Sequence, residues 1–427
     1  MPAWNQPRTA HGRGAPVAGN GAPSFGVSNL TAFIGDSLTE HEFGSTPFYI
    51  LNGLLGAPLQ VIANSGFSGV SAFGLIGQIE GSYRLATGPG WGGLPAMGWG
   101  FLRCLTNTLR GAADSTGVVF DSSHQTDLVT LITRCLDFVE HLVIFAVPPI
   151  GDGVTVTQNT TIPAANAWLE AYCEGNPRLH WIDDCADLRD AGGAAIPEFF
   201  DADVLHMNGA GAYQMALTAE PFLAALLANQ AYGSAVVTDA ADVYPAQPQW
   251  VNNPTNAGTD GSKGAGWTGT CPTGCTVSTY GSGATGAVSI VAAHGGDSNT
   301  TPWLRITPSA CSSTSNIQIA LASSGRSITS IDPDTMEQIA EIRFNAFTKF
   351  SRLDYWCQAG GHRFTKKGYL RWSGSTGANR TVTLRQKLYR IDADASSTPT
   401  SYIEMSGSPD YSGDMGSIDI RCISLRG

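Results

Sequence analysis

Between residues 29 and 232, short apolar runs alternate with segments of helical spacing, and this alternation constrains the fold more than any other feature. Leu30–Ile34 is an apolar run that stops at Gly35, as a strand buried on both faces does. Gln60–Ala63, Gly117–Asp121, His141–Val147 and Leu179–Ile182 read as further strands. Pro47–Leu55, Val70–Ile79, Leu128–Val139, Ala164–Cys173 and Gly209–Leu227 read as helices. Strands that alternate with helices predict a parallel sheet covered on both faces. Five strands suit a flavodoxin-like doubly wound α/β sheet, whose ligands sit beyond the carboxyl ends of the strands.

The pattern then changes. At 427 residues the chain is long enough for two cores. Residues 233–250 read as a linker. From 251 to 427, β-branched or alternating runs (Ala287–Ala293, Trp303–Ile306, Ile317–Ala322, Ala340–Phe347, Thr381–Tyr389, Ile418–Leu425) are separated by Gly, Ser, Asn and Pro clusters. Such spacing predicts an all-β sandwich or jelly roll. Residues 1–28, rich in Gly, Pro, Ala and Asn, read as an extended arm that orders only against a partner.

Charge limits the partners. Residues 29–232 hold 20 acids and six arginines with no lysine, while the net charge of the chain is −11. An acidic first half argues against nucleic acid or an anionic membrane. A neutral or acetylated sugar is not repelled. No apolar run is long enough to span a bilayer, and the opening residues lack the charged-then-apolar pattern of a secretory signal. Nine cysteines cannot all pair within the chain, and most stand singly in apolar stretches as buried thiols do. Cys271 and Cys275 form a C-x-x-x-C without a second ligand pair, which reads as a turn or a local disulfide rather than a zinc site.

Three constellations carry chemistry. Gly35-Asp36-Ser37-Leu38 places a serine directly after the first strand, at the open end of the sheet. The plain alternative is a helix N-cap. Asn64-Ser65-Gly66-Phe67-Ser68-Gly69 follows the second strand, where backbone N–H groups can approach a ligand and stabilise an oxyanion. A glycine-rich turn accounts for it equally well. Asp203-Val204-Leu205-His206-Met207-Asn208 precedes the last helix. A carboxylate three residues before a histidine can orient the imidazole and support its charged form. The alternative is again a cap beside a surface histidine. The glycine-crowded stretch Gly88–Gly100 offers Trp91 and Trp99, either as a packed loop or as a lip that stacks on a sugar ring.

Taken together and in this order, G-D-S-L, N-x-G-x-S-G and D-x-x-H-x-N resemble the SGNH/GDSL hydrolase family over about residues 29–232. Pro148-Pro149 and Asn166 also stand where that family often has such residues. The resemblance implies a serine esterase with Ser37 as nucleophile, His206 as general base and then acid, and Asp203 orienting His206. The backbone N–H groups of Ser37 and Gly69 would form part of the oxyanion hole. Neither a metal nor an organic cofactor is implied. The family's G-x-N-D after the third strand is missing at Asp121-Ser122-Ser123-His124-Gln125, where His124, or else Gln125, is the expected replacement donor.

The expected substrate is an O-acylated, chiefly O-acetylated, carbohydrate, and the second half resembles carbohydrate-binding modules. The whole is also similar to phage tail proteins that process surface polysaccharide. That similarity implies an alternative role as a virion component, made in the cytoplasm and acting outside the cell. Its partners would then be copies of itself, for example in a trimer, or other virion proteins.

Overall fold

The computed structural model describes residues 27–39, 47–87, 97–110, 119–150, 161–201, 203, 205–230, 256–280, 283–295, 300–310, 316–321, 337–345, 350–359, 362–363, 380–387, 400–407 and 416–426. The linker assigned to 233–250, nearly all of the arm, and Trp91 lie outside them.

The first half is an α/β unit. Its strands are β1 (Leu30–Gly35), β2 (Gln60–Gly66), β3 (Met97–Arg103), β4 (Val139–Phe145) and β5 (Leu179–Ile182). They pair in parallel in the order β2-β1-β3-β4-β5, the flavodoxin-like arrangement. Helices α1 (Pro47–Leu54) and α6 (Gly209–Leu227) cover one face, where Phe33, Phe101, Val143 and Phe145 meet Phe48, Leu51, Ala216 and Leu223. Helices α2 (Ala72–Thr87), α4 (Ser122–Leu136) and α5 (Ile162–Cys173) cover the other, over Ala32, Ile34, Leu102, Leu142 and Ile144. A short helix, α3 (Thr106–Arg110), follows β3. Alternate residues of each strand thus feed two separate cores, which is why the strands read as continuous apolar runs.

The third strand lies elsewhere than the sequence suggests. Residues 117 and 118 lie outside the described residues, while Val119 is 70% exposed and leads through Phe120 into Asp121, the N-cap of α4. The true β3, Met-Gly-Trp-Gly-Phe-Leu-Arg, begins within the stretch Gly88–Gly100 that reads in the sequence as a packed loop or a lip. Its glycines disguise it, and packing requires them. A Cβ on Gly98 would lie 1.7 Å from the carbonyl oxygen of Ser28, and one on Gly100 2.9 Å from Leu142. Trp99 is therefore a core residue, 1% exposed and stacked on His141 with ring centroids 5.0 Å apart. The ends that flank Trp91, Thr87 of α2 and Met97 of β3, stand at the amino ends of the strands, opposite Ser37.

The second half is a sandwich of two six-stranded sheets. One runs β15 (Thr381–Lys387), β12 (Glu337–Asn345), β17 (Ser417–Arg426), β10 (Trp303–Ala310), β9 (Thr285–Val291), β7 (Trp267–Gly269). The other runs β14 (His362–Arg363), β13 (Phe350–Ala359), β16 (Thr400–Gly407), β11 (Asn316–Leu321), β8 (Cys271–Tyr280), β6 (Asp260–Lys263). From β10 to β13 and from β14 to β17, every connection crosses between the sheets, a jelly-roll-like habit. Leu304, Ile306, Ile342, Phe344, Ile418 and Ile420 of the first sheet share a core with Val277, Ile317, Ile319, Ile403 and Met405 of the second.

The two halves touch. Arg385 donates to the carbonyl of Ala57 at 3.3 Å, Ile339 packs on Ala57, and Arg380 pairs with Glu220 of α6. No helix among the described residues is long and apolar enough to cross a membrane.

Candidate active site

Ser37 sits in the turn that follows β1. The N–H of Asp36 donates to the carbonyl of Arg103 at 3.3 Å, the Leu38 N–H to Asp36 Oδ1 at 3.1 Å, and the Thr39 N–H to the Asp36 carbonyl at 3.0 Å. Asn64, at the end of β2, donates from Nδ2 to the Thr39 carbonyl at 3.0 Å and fastens the turn from the other side. No helix begins at Ser37: α1 starts at Pro47. Burial pushes the Asp36 carboxyl above its usual range, against the Leu38 N–H, the Thr106 hydroxyl and the Arg103 charge, which favour its ionised form.

The histidine arrives from the far end of the unit. Phe200 and Met207 bridge in antiparallel fashion, and the Asp201 N–H donates to the His206 carbonyl at 2.8 Å, closing a short loop before α6. Asn208 caps α6, accepting from the N–H groups of Ala210 and Gly211. The helix cap is thus Asn208, and Asp203 and His206 lie ahead of it in the loop. Within the loop, Asp203 Oδ1 accepts from the N–H groups of Leu205 and His206 at 3.0 and 2.9 Å. Asp203 Oδ2 lies 2.5 Å from His206 Nδ1, and His206 Nε2 lies 2.9 Å from Ser37 Oγ. Partial burial tends to raise the Asp203 carboxyl, but the hydrogen bonds from the His206 ring and from the two N–H groups outweigh it and hold it below the usual range. A carboxylate on Nδ1 fixes the tautomer that leaves the Nε2 lone pair toward the serine hydroxyl.

Gly69 lies in the turn after β2 with φ +70°, a conformation that favours glycine, and nothing stands within 4 Å of a Cβ built there. His124 belongs to α4 instead of the loop after β3. Its Nδ1 accepts from the Asp121 N–H at 3.3 Å in a capping box and lies 2.8 Å from Asp121 Oδ1, and its ring stacks on Phe120. Gln125 follows it on α4. β3 is followed by Cys104-Leu105, with Leu105 in the left-handed region at φ +81°, and then by α3, whose first turn carries Thr106 and Asn107. Asn107 Nδ2 donates to the Val70 carbonyl at 3.1 Å, and Thr108 Oγ1 accepts from the Ala72 N–H at 3.0 Å. The start of α3 is therefore latched to the segment that follows Gly69. Sequence reasoning missed Asn107 because β3 was placed too late. The Leu105-Thr106-Asn107 that follows Gly100-Phe101-Leu102 after Arg103-Cys104 was the available signal.

Asn166 of α5 clamps the end of β4, accepting from the Val147 N–H at 2.8 Å and donating to its carbonyl at 3.1 Å. No group of three or more His, Cys, Asp or Glu among the described residues is arranged to hold a metal ion. Cys271 and Cys275 are both buried as free thiols in hydrogen-bonding reach of each other. The contact with Cys275 favours the Cys271 thiolate, and Cys275 is pushed well up.

No protein-family model and no curated protein matches the sequence. Solved structures do resemble parts of it. A member of the lipolytic G-D-S-L family from Veillonella parvula is 23% identical over 44% of this chain and 95% of its own, with a TM-score of 0.33. The catalytic domain of the peptidoglycan O-acetyltransferase A of Streptococcus pneumoniae is 16% identical over 48% of this chain and 95% of its own, with a TM-score of 0.31. Carbohydrate-binding modules of the β-sandwich superfamily are 14% identical over 35% of this chain and 56% of theirs, with a TM-score of 0.27.

Proposed function

We propose that the chain is a serine esterase that removes small acyl groups, chiefly acetyl, from a carbohydrate. The observation that carries the reading is the unbroken relay Asp203–His206–Ser37, at 2.5 and 2.9 Å, at the carboxyl end of β1. Ser37 Oγ attacks the ester carbonyl as its proton passes to His206 Nε2. The tetrahedral intermediate collapses when His206 returns that proton to the leaving alcohol, and an acyl-serine remains. Water attacks the acyl carbon and gives a proton to His206. Ser37 is released with a proton, and the acid departs.

The oxyanion formed at each stage is met by the N–H groups of Ser37 and Gly69. Asn107 takes the place of the absent family asparagine, since its amide is anchored next to Gly69 and it stands in the first turn of α3, just after β3. A carbohydrate substrate fits a first half without lysine that does not repel neutral sugars, joined to a β-sandwich. The test is hydrolysis of an aryl acetate and release of acetate from O-acetylated polysaccharides, each with Ser37→Ala as control. Equal rates in the two proteins would sink the reading. The alternative role in a phage particle rests on residues 1–28 and on the pairing of the two halves, and 1–26 lie outside the described residues.

A further inference from the structure

Beneath the nucleophile turn lies an arginine with no exposure to solvent. Arg103 ends β3 opposite Gly35 of β1, and its carbonyl accepts the Asp36 N–H, so its backbone already holds the residue before Ser37. Its guanidinium carbon lies 5.3 and 5.5 Å from the ring centroids of Phe48 and Phe145. Nη2 bonds Asp184, itself 1% exposed, and Nη1 approaches Cys185 Sγ at 3.6 Å and Met215 Sδ of α6 at 3.8 Å. Cys185 and Met215 belong to one apolar cluster with Leu38, next to Ser37, and Met207, next to His206.

We infer that Arg103 is a positioning residue, whose bond to Asp184 sets the nucleophile turn against the segment that carries His206. The inference rests on the reading of Ser37 and His206 given above. Arg103 is the residue that reaches both sides: its backbone holds the serine turn, and its side chain holds the residues packed behind the histidine loop. An arginine is suited to this because its planar fork keeps several fixed bonds at once. Burial works against the guanidinium charge, and the Asp184 carboxylate outweighs it.

A buried ion pair can also be structural and nothing more. Replacing such a pair by apolar residues of similar volume is often neutral or stabilising. This separates the two roles. The double variant Arg103→Met/Asp184→Leu is compared with the wild type for Tm, for the labelling rate of Ser37 by a fluorophosphonate, and for kcat and KM on an aryl acetate. The expected result is a Tm within a few degrees, labelling and kcat at least tenfold lower, and KM within twofold.

Arg103→Lys, which keeps the charge without the fork, is expected to fold and to lose a smaller share of kcat. A folded double variant with wild-type kcat and labelling would overturn the inference. If the double variant does not fold, wild-type kcat in Arg103→Lys would overturn it equally. A wild type that is never labelled at Ser37 fails the site reading itself, and the inference falls with it. Labelled wild type with unaffected variants fails only the inference.

Discussion

His206 Nε2 meets Ser37 Oγ at 2.9 Å although the two residues stand 169 positions apart in the chain. The contact exists because β1 and the loop before α6 both end at the carboxyl edge of one parallel sheet. Asp203 takes the other ring nitrogen through Oδ2 and two backbone N–H groups through Oδ1, so the loop's own hydrogen bonds aim the imidazole.

Asp203→Asn tests that aim. The amide presents a donor toward Nδ1, which favours the wrong tautomer at Nε2. In a triad of this kind the change costs about 10⁴-fold in kcat. Stopped assays on an aryl acetate are expected to show that loss with KM within a few-fold and Tm little changed. A loss under tenfold would mean that Asp203 does not orient His206.

Asn107 and His124 make opposite predictions. Removing one oxyanion donor costs about 2.7–4 kcal/mol in the transition state. Asn107→Ala is therefore expected to lower kcat about 10²–10³-fold with KM nearly unmoved. His124→Ala, which disturbs only the cap of α4, is expected to leave kcat within twofold. The reverse result would return the donor to the start of α4.

Gly98 is a packing prediction. With a Cβ 1.7 Å from the Ser28 carbonyl oxygen, Gly98→Ala forces β3 and the residues before β1 apart. Overpacking of this kind costs about 3 kcal/mol. Chemical denaturation measures it, and a neutral substitution would contradict the placement of β3.

His180 gives a pH prediction. Its ring nitrogen lies 3.1 Å from that of His141, and burial, followed by the neighbouring His141, lowers it to about 4. A histidine depressed in the folded state takes up its proton more readily when unfolded. Its contribution to stability is therefore present above the ordinary histidine range, about 6.5, and is lost as pH falls toward about 4. Tm is expected to decline across that window, and more shallowly in His180→Phe. Identical slopes in the two proteins would refute it.

The parts of the fold that were legible in the sequence are those where one demand shaped the residues. Leu30–Gly35 is buried on both faces and reads as a strand, and Gly35-Asp36-Ser37-Leu38 and Asp203–His206 hold their patterns because the chemistry is local to each segment. Met97–Arg103 was hidden because two demands met there: the pleat asked for apolar residues, while contact with Ser28 and Leu142 asked for glycine. That single displacement carried two others with it. Trp99 was read as part of a packed loop or of a lip when it is a strand residue in the core, and the third donor was sought at His124, so that Asn107 at the start of α3 was passed over. Arg103 gave no sign of burial, because nothing near it in the chain reveals Asp184 as its partner. In the sandwich, short strands such as β6 and β7 pair in parallel with β8 and β9, and their few, mostly exposed residues carry no pattern that marks them.

The central claim is that Ser37 is a nucleophile activated by His206. Its most direct test is to treat the whole chain with a fluorophosphonate and map the adduct by peptide mass spectrometry. The account predicts one adduct, on the peptide containing Ser37, absent in Ser37→Ala and strongly slowed in His206→Ala. An adduct on another residue, or equal labelling of the wild type and His206→Ala, would contradict it.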